Sequence, residues 1–323
     1  MEEHSIHEGE RVETNSNLTA EVIIPTLNEE QTIGELIHNI RNHVLPLSIS
    51  ILVIDGGSTD NTVNICKKEN VKFITQKGKG KGNAMRQAVD HSDADIVVFI
   101  DADGTYGASD LGALLEPLIN NKADMVVGSR LAGKMEKGAI SILNMVGNRI
   151  FNSTINFAMS SHVTDSLSGY RAMFSNVFKD LVLFSNNFEI EVEMTVEALA
   201  KNYRVAETPI DYTIRKGTKS KLSPLDDGSK IAHSLLFILM NVNPLRFFAL
   251  ISLVFFIAGI YPAYFVLNEK ITTGEIVSLP SAIFSSLLFM TGTISLVVGL
   301  LSELVVRSRR RVEYLVNRHR YQI

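Results

Sequence analysis

Up to about residue 222, short apolar runs alternate with mixed polar and apolar segments; beyond it, long apolar stretches take over. Glu21-Val22-Ile23-Ile24-Pro25, Ser50-Ile51-Leu52-Val53-Ile54, Val71-Lys72-Phe73-Ile74, Ile96-Val97-Val98-Phe99-Ile100 and Asp124-Met125-Val126-Val127-Gly128 have the length and composition of strands. Between them the periodicity predicts helices through roughly Asn42, from Thr62 to Glu69, from Asn83 to about His91 and from Leu111 to Asn120. Further helices are expected over about Ile140 to Met159 and Phe188 to Lys201, with a last strand within Tyr203 to Tyr212. Thr26 or Asn28 can cap the first helix. Strands alternating with helices of this length imply βαβ units: an α/β, Rossmann-like domain with a mainly parallel sheet and helices on both faces. In such sheets ligands lie at the carboxyl ends of the strands.

Phe247 to Leu267 and Ile283 to Val306 are each long enough to cross a bilayer at roughly 20 residues per crossing. The loop between them, Asn268 to Leu279, has Lys270 as its only base, whereas Arg307, Arg309, Arg310, Arg311, Arg318 and Arg320 follow the second span. The positive-inside rule therefore puts the main domain and the tail in the cytoplasm, with the spans as an integral membrane anchor. Pro262 is expected to kink the first span. The implied layout is a disordered tail at 1–18, the α/β domain at 19–228, a juxtamembrane interfacial helix at 229–243, a transmembrane helical hairpin at 244–306 and a basic tail at 307–323.

Composition changes this picture little. A net charge of −4 over 323 residues gives no basic excess for nucleic acid. The lone Cys66 excludes an internal disulfide, and the scattered histidines lack zinc-site spacing.

The chemistry sits where strands end. The Ile96–Ile100 run stops at Asp101-Ala102-Asp103, two carboxylates on one side of a turning segment that can hold one hard cation such as Mg²⁺ or Mn²⁺; the plain alternative is a turn that caps a strand. Asp55-Gly56-Gly57-Ser58-Thr59-Asp60 ends the second strand and Ser129-Arg130 the fifth. Glu189, Glu191 and Glu193 would share one face of an extended segment and could complete a metal shell. The loop Gly78-Lys79-Gly80-Lys81-Gly82 lacks the Ser or Thr of a P-loop, which leaves Lys81 and Arg86 as candidate diphosphate contacts. Arg130, Arg149, Arg171, Arg215, Lys219 and Lys221 are candidates for seating an anionic acceptor.

Pro25-Thr26-Leu27-Asn28-Glu29, Asp55 to Asp60, Asp101-Ala102-Asp103, Gly128-Ser129-Arg130, Ser168-Gly169-Tyr170-Arg171 and Gly217-Thr218-Lys219-Ser220-Lys221 occur in the order found in family 2 glycosyltransferases. The chain resembles their dolichyl-phosphate mannose synthase and polyprenyl-phosphate glycosyltransferase branch, including archaeal enzymes, from about Glu21 to Lys230. The resemblance implies a GT-A catalytic domain that moves a sugar, with inversion, from a nucleotide-diphosphate donor (UDP-glucose, UDP-N-acetylglucosamine or GDP-mannose) to dolichyl or another polyprenyl phosphate. It implies donor contacts at Pro25, Asn28, Glu29 (ribose), Asp55 (base), Gly57, Asp101 and Ala102, and metal at Asp101 and Asp103; Lys81 joins the donor contacts from its glycine loop, and Glu191 the metal shell, on the reading of the residues above. Arg130, Arg171 and Lys221, which stand in the shared motifs, would bind the acceptor phosphate, with Arg149 and Arg215 as further cations read from their positions. One departure is Thr105, where such enzymes often have an amide that helps bind metal. A transferase acting on a hydroxyl would instead need a base, for which Asp110 is the candidate. A non-catalytic nucleotide-sugar-binding membrane scaffold is the reading of another class, and the intact Asp101 and Asp103 speak against it.

Overall fold

Side chains on a strand alternate between faces, and the central strands use both. In the computed structural model, which describes residues 18–187, 189–215, 240 and 243–320, β1 (Thr19–Thr26), β2 (Ser48–Asp55), β3 (Lys72–Thr75), β4 (Ile96–Phe99), β5 (Met125–Ser129), β6 (Arg171–Phe174) and β7 (Val205–Pro209) form one sheet in the order β3-β2-β1-β4-β6-β5-β7. Ile96 and Val98 of β4 enter one apolar layer, whereas Val97 and Phe99 enter the other. The first layer is closed by α1 (Ile33–Asn42) and α4 (Leu111–Ile119), the second by α3 (Lys81–Asp90) and α7 (Ile190–Ala200). Helix α1 shows why: Ile33, Leu36, Ile37 and Ile40 form one buried stripe at helical spacing, each contributing about 1.5–3 kcal/mol of apolar burial. Two short helices, α2 (Thr62–Lys68) and α6 (Ser175–Asp180), and the longer α5 (Ile142–Met159) complete the set before the apolar region.

The pairings β1/β2, β1/β4, β2/β3 and β5/β7 are parallel, but β6 runs antiparallel to both β4 and β5. Sequence patterning places no strand at Arg171-Ala-Met-Phe, because an arginine at its head breaks the apolar run. The reversal carries the start of β6, with Ser168-Gly169-Tyr170, to the edge where its parallel neighbours end. Other boundaries move by a residue or two. Helix α1 starts at Ile33 after Thr32, so Thr26 and Asn28 do not cap it.

The chain divides into two compact units. The first holds the sheet. The second holds α8 (Pro244–Thr273) and α9 (Leu279–Arg320) together with Thr154–Ser160, the end of α5 and the residue after it. Within that unit Arg246 donates to the carbonyls of Phe157 (2.6 Å) and Ala158 (3.1 Å), and Asn243 to that of Ala158 (3.0 Å), satisfying the last turn of α5. Helix α8 continues through Pro262 and ends at Gly274, whose φ is 80°. Both helices are long and apolar enough to cross a membrane, over Pro244–Thr273 and Leu279–Ser308. They pack through small residues: Ser285 donates to the Gly259 carbonyl (3.0 Å), and Ser295 to that of Phe248 (3.1 Å). The expected tail at 1–18, the interfacial helix at 229–243 and Lys219 and Lys221 lie largely or wholly outside the described residues.

At Gly299 an added Cβ would stand 2.7 Å from the Phe248 Cβ. Gly299→Leu is therefore expected to destabilise the hairpin by about 1–3 kcal/mol, seen as a lower thermal midpoint of the detergent-solubilised protein.

Candidate active site

The wall contributed by β1 and β2 is built by mutual capping of two loops. The Asp55 carboxylate accepts from the backbone N–H of Gly57 (3.0 Å) and Ser58 (3.0 Å) and from the Ser58 hydroxyl (2.5 Å), while Gly57 turns with φ 95°. Asn28, in the left-handed region at φ 56°, accepts from the Thr59 N–H at 2.8 Å, and its own N–H donates to Ser58 Oγ at 2.9 Å. Glu29 N–H donates to Thr62 Oγ1 (2.9 Å), and Gly56 N–H to the carbonyl of Thr26, next to Pro25 (2.8 Å). Asp55 is thus buried within its own turn, and its side chain organises the loop that carries Gly57.

The two central acids have different partners. Asp101 Oδ1 meets the ammonium of Lys81, which also binds Glu191 Oε1 at 2.7 Å. Lys81 and Glu191 are almost completely buried. Burial alone would lower the Lys81 pKa, but the two carboxylates outweigh it and hold the ammonium protonated, above its ordinary range. Backbone approaches closely here: a Cβ on Gly169 would lie 2.5 Å from Asp101 Oδ2 and 2.9 Å from Lys81 Nζ. Asp103 Oδ1 accepts from the Thr105 N–H (3.1 Å) and hydroxyl (2.6 Å), so Thr105 braces the acid. The Ala102 carbonyl accepts from Thr32 Oγ1 (2.5 Å).

Arg215 arrives from beyond β7. Its Nη2 binds Glu29 Oε1 at 2.7 Å and its Nη1 stands 3.5 Å from Asp103 Oδ2. The chain before it is fixed along the loop after the acids: Thr213 N–H donates to the Thr105 carbonyl (3.0 Å) and Thr213 Oγ1 to that of Gly104 (3.1 Å).

Arg130 makes a fork to Asp165, with Nε–Oδ2 and Nη2–Oδ1 both at 2.8 Å, and Asn148 from α5 donates to the same Oδ1 at 3.0 Å. Burial would raise the Asp165 carboxyl, but donation from Arg130 and Asn148 holds it below the usual carboxylate range. The Arg130 guanidinium also lies over the Tyr212 ring, 5.3 Å from its centroid, and Tyr106 bridges Tyr212 (5.2 Å) and Tyr170 (5.5 Å). Gly169 N–H donates to the Tyr106 hydroxyl at 3.1 Å.

Several expectations need correcting. Arg171 does not face the cleft: it is fully buried, and its nitrogens donate to the carbonyls of Ser166, Ser168 and Glu191 and to Thr195 Oγ1. Burial lowers its pKa to about 10. Glu189, Glu191 and Glu193 do not share a face, because the segment is helical and residues two apart lie about 200° apart around the axis. Glu191 turns inward to Lys81, whereas Glu193 accepts from the N–H groups of Phe184 (2.9 Å) and Ser185 (2.8 Å). Among the described residues no three His, Cys, Asp or Glu converge as a metal site, and Glu191 Oε1 is taken by Lys81. Arg86 binds the Ser185 carbonyl and Asn186 Oδ1, both at 2.6 Å. Arg149 is exposed on α5, beside the Asn148 that reaches Asp165. Asp110, half-buried, accepts from the Asp211 N–H at 3.0 Å, and burial raises its pKa. Sequence reasoning did not single out Tyr106, Tyr212, Asn148 or Asp165. Tyr106, three residues past Asp103, and Asp165, three before Ser168, carried a local signal.

Residues 21–182 match the model of glycosyl transferase family 2. The chain belongs to this family. It is a glycosyltransferase, 36% identical over 294 residues to glycosyltransferase AglJ of Haloferax volcanii, an alignment that spans 90% of this chain and 94% of that protein. It is 33% identical to a dolichyl-phosphate hexose transferase of the same organism, over 66% of this chain and 91% of that one. A UDP-N-acetylglucosamine–dolichyl-phosphate N-acetylglucosaminyltransferase of Methanococcus voltae is 31% identical, over 68% of this chain and 96% of that one. Such relatives support the polyprenyl-phosphate branch of the family. Glucosyl-3-phosphoglycerate synthase from Mycobacterium tuberculosis, solved with Mn²⁺, UDP and glucosyl-3-phosphoglycerate, superposes with a TM-score of 0.57 at 21% identity, covering 70% of this chain and 80% of that one. The fold of the first unit is GT-A-like.

Two outcomes follow for the glycosyltransferase. Gly169→Ala should leave the circular dichroism spectrum unchanged but lower kcat, because Asp101 or Lys81 must shift. A carboxyl held low stabilises the fold fully above the unfolded range near pH ~4, and that stability fades as pH falls through the folded value. Asp165→Asn should therefore lower the midpoint of thermal unfolding at pH 7 by the equivalent of about 3–5 kcal/mol and leave it less sensitive to acid.

Proposed function

We propose that this glycosyltransferase moves a sugar from a nucleoside diphosphate sugar to dolichyl phosphate or a similar polyprenyl phosphate, anchored in the bilayer by α8 and α9. The observation that carries this reading is the meeting of opposite charges at one sheet edge: Glu29, Asp101 and Asp103 on one side, Arg130 and Arg215 on the other. An acceptor phosphate is already anionic near neutral pH and needs cations rather than a base, and arginine forks suit its geometry. Arg130, steadied by Asp165 and Tyr212, would present its remaining nitrogen to that phosphate, and Arg215 and Lys221 would add charge from the chain's approach to the first span. The phosphate oxygen would attack the anomeric carbon as the bond to the leaving diphosphate breaks, inverting the centre.

The carboxylates of Asp101 and Asp103 fit a divalent cation, Mg²⁺ or Mn²⁺. Both are partly accessible and both already attract cationic side chains, and a magnesium-like ion needs only one or two protein carboxylates when phosphate oxygens and water complete its shell. Such an ion would neutralise the departing diphosphate. Lys81 would keep Asp101 in place beside Glu191, and Glu29 would accept from the ribose. The UDP-N-acetylglucosamine-using relative favours a UDP-linked donor, glucose or N-acetylglucosamine, with GDP-mannose the next choice. The arginines after the second span favour a cytoplasmic catalytic unit.

The direct test incubates the membrane-embedded protein with UDP-glucose, UDP-N-acetylglucosamine or GDP-mannose, Mg²⁺ or Mn²⁺ and dolichyl phosphate, and weighs the lipid product. A glycosyl phosphate lipid is expected, lost with a chelator. Asp103→Asn should reduce kcat/KM about 10²–10³-fold. Asp110→Asn should keep near-normal turnover, since an anionic acceptor needs no base; loss of turnover would instead favour a hydroxyl acceptor.

A further inference from the structure

Arg215 occupies a position that donor binding must contest. Its guanidinium bridges Glu29 and Asp103, the two carboxylates that the proposed chemistry assigns to the ribose and to the metal-bound diphosphate. Asp103 cannot turn away from it easily, because its other oxygen is held by the N–H and hydroxyl of Thr105. Nor is Arg215 there by loose chance. Thr213 is bonded to the carbonyls of Thr105 and Gly104, the Ile214 N–H donates to Glu136 Oε2 at 2.8 Å, and Tyr212 bridges to Tyr106. The backbone is therefore pinned up to the residue before it, which sets the guanidinium within reach of both carboxylates. The pose is also incomplete: Arg215 Nε is buried with no hydrogen-bond partner among the described residues, which favours a second arrangement in which that donor is satisfied.

We propose that Arg215 is a cation held in reserve, neutralising Glu29 and Asp103 while the donor site is empty and released towards the acceptor phosphate when a nucleoside diphosphate and its divalent ion take those carboxylates. This inference rests on the function proposed above. It makes donor binding and acceptor capture sequential: before the donor arrives Arg215 is unavailable to a lipid phosphate, and afterwards the like charge of the divalent ion disfavours its return to Asp103. The acceptor is thereby recruited to a site already loaded with sugar.

The test uses the full chain in lipid nanodiscs. In the wild-type protein, tryptic cleavage after Arg215, followed by mass spectrometry, should rise several-fold with Mn²⁺ and UDP (or GDP) together and not with either alone. Arg215→Ala removes a competitor, so calorimetry without lipid acceptor should show UDP or GDP with Mn²⁺ binding about 3–10-fold tighter, while the KM for dolichyl phosphate rises about tenfold or more. Arg215→Lys, a single point charge that cannot fork across two carboxylates, should fall between. Nucleotide affinity that is unchanged or weaker in Arg215→Ala, or cleavage indifferent to the ligands, overturns the switch and leaves the transferase reading standing. A wild-type protein that binds neither nucleotide with Mn²⁺ overturns both.

Discussion

Negative charge gathered at one edge of a sheet has to be answered by positive charge from elsewhere in the chain. Glu29, Asp101, Asp103 and Glu191 come from the loop after β1, the loop after β4 and the first turn of α7, and each pairs with a cation. A buried carboxylate without such a partner would either protonate or destabilise the fold. Lys81 answers two of them from the start of α3, and Arg215 the other two from beyond β7. The loop glycines and the pinning of Thr213 make sense as the means by which those cations are delivered.

The same edge shows how surroundings assign a role to a residue type. Arg130 and Arg171 both lie at strand ends, and both stand in motifs of the family. Arg171 is enclosed, with its donors on carbonyls of the loop and of α7, and so works as an internal brace. Arg130 keeps some exposure and is steadied by Asp165 on one side and Tyr212 beneath it. The Tyr170, Tyr106 and Tyr212 rings form the floor that joins these elements, and the Tyr106 hydroxyl accepts from Gly169, the glycine beside Asp101.

In the second unit, α8 and α9 pair through glycines and serines whose hydroxyls bond carbonyls of the facing helix. The end of α5 belongs to this unit, capped by Asn243 and Arg246 at the head of α8.

Local pattern was enough for much of this. The parallel strands, the helices between them, the two long apolar helices and the arrival of Asp55, Asp101 and Arg130 at one edge follow from alternation, turn residues and run length, which are properties of neighbours in the chain. What local pattern could not decide was pairing between distant residues. It missed β6, because a strand headed by arginine looks polar until its carbonyl partners are known. It put Glu189, Glu191 and Glu193 on one face, because the same letters alternate in a strand and diverge in a helix. It offered Lys81, Arg171 and Arg215 alike as anion binders, since charge is written in the sequence but the group that meets it is not. Only folding brought Lys81 onto Asp101 and Glu191, sealed Arg171 among carbonyls and set Arg215 across Glu29 and Asp103, because those contacts depend on burial and on distances between segments up to 186 residues apart.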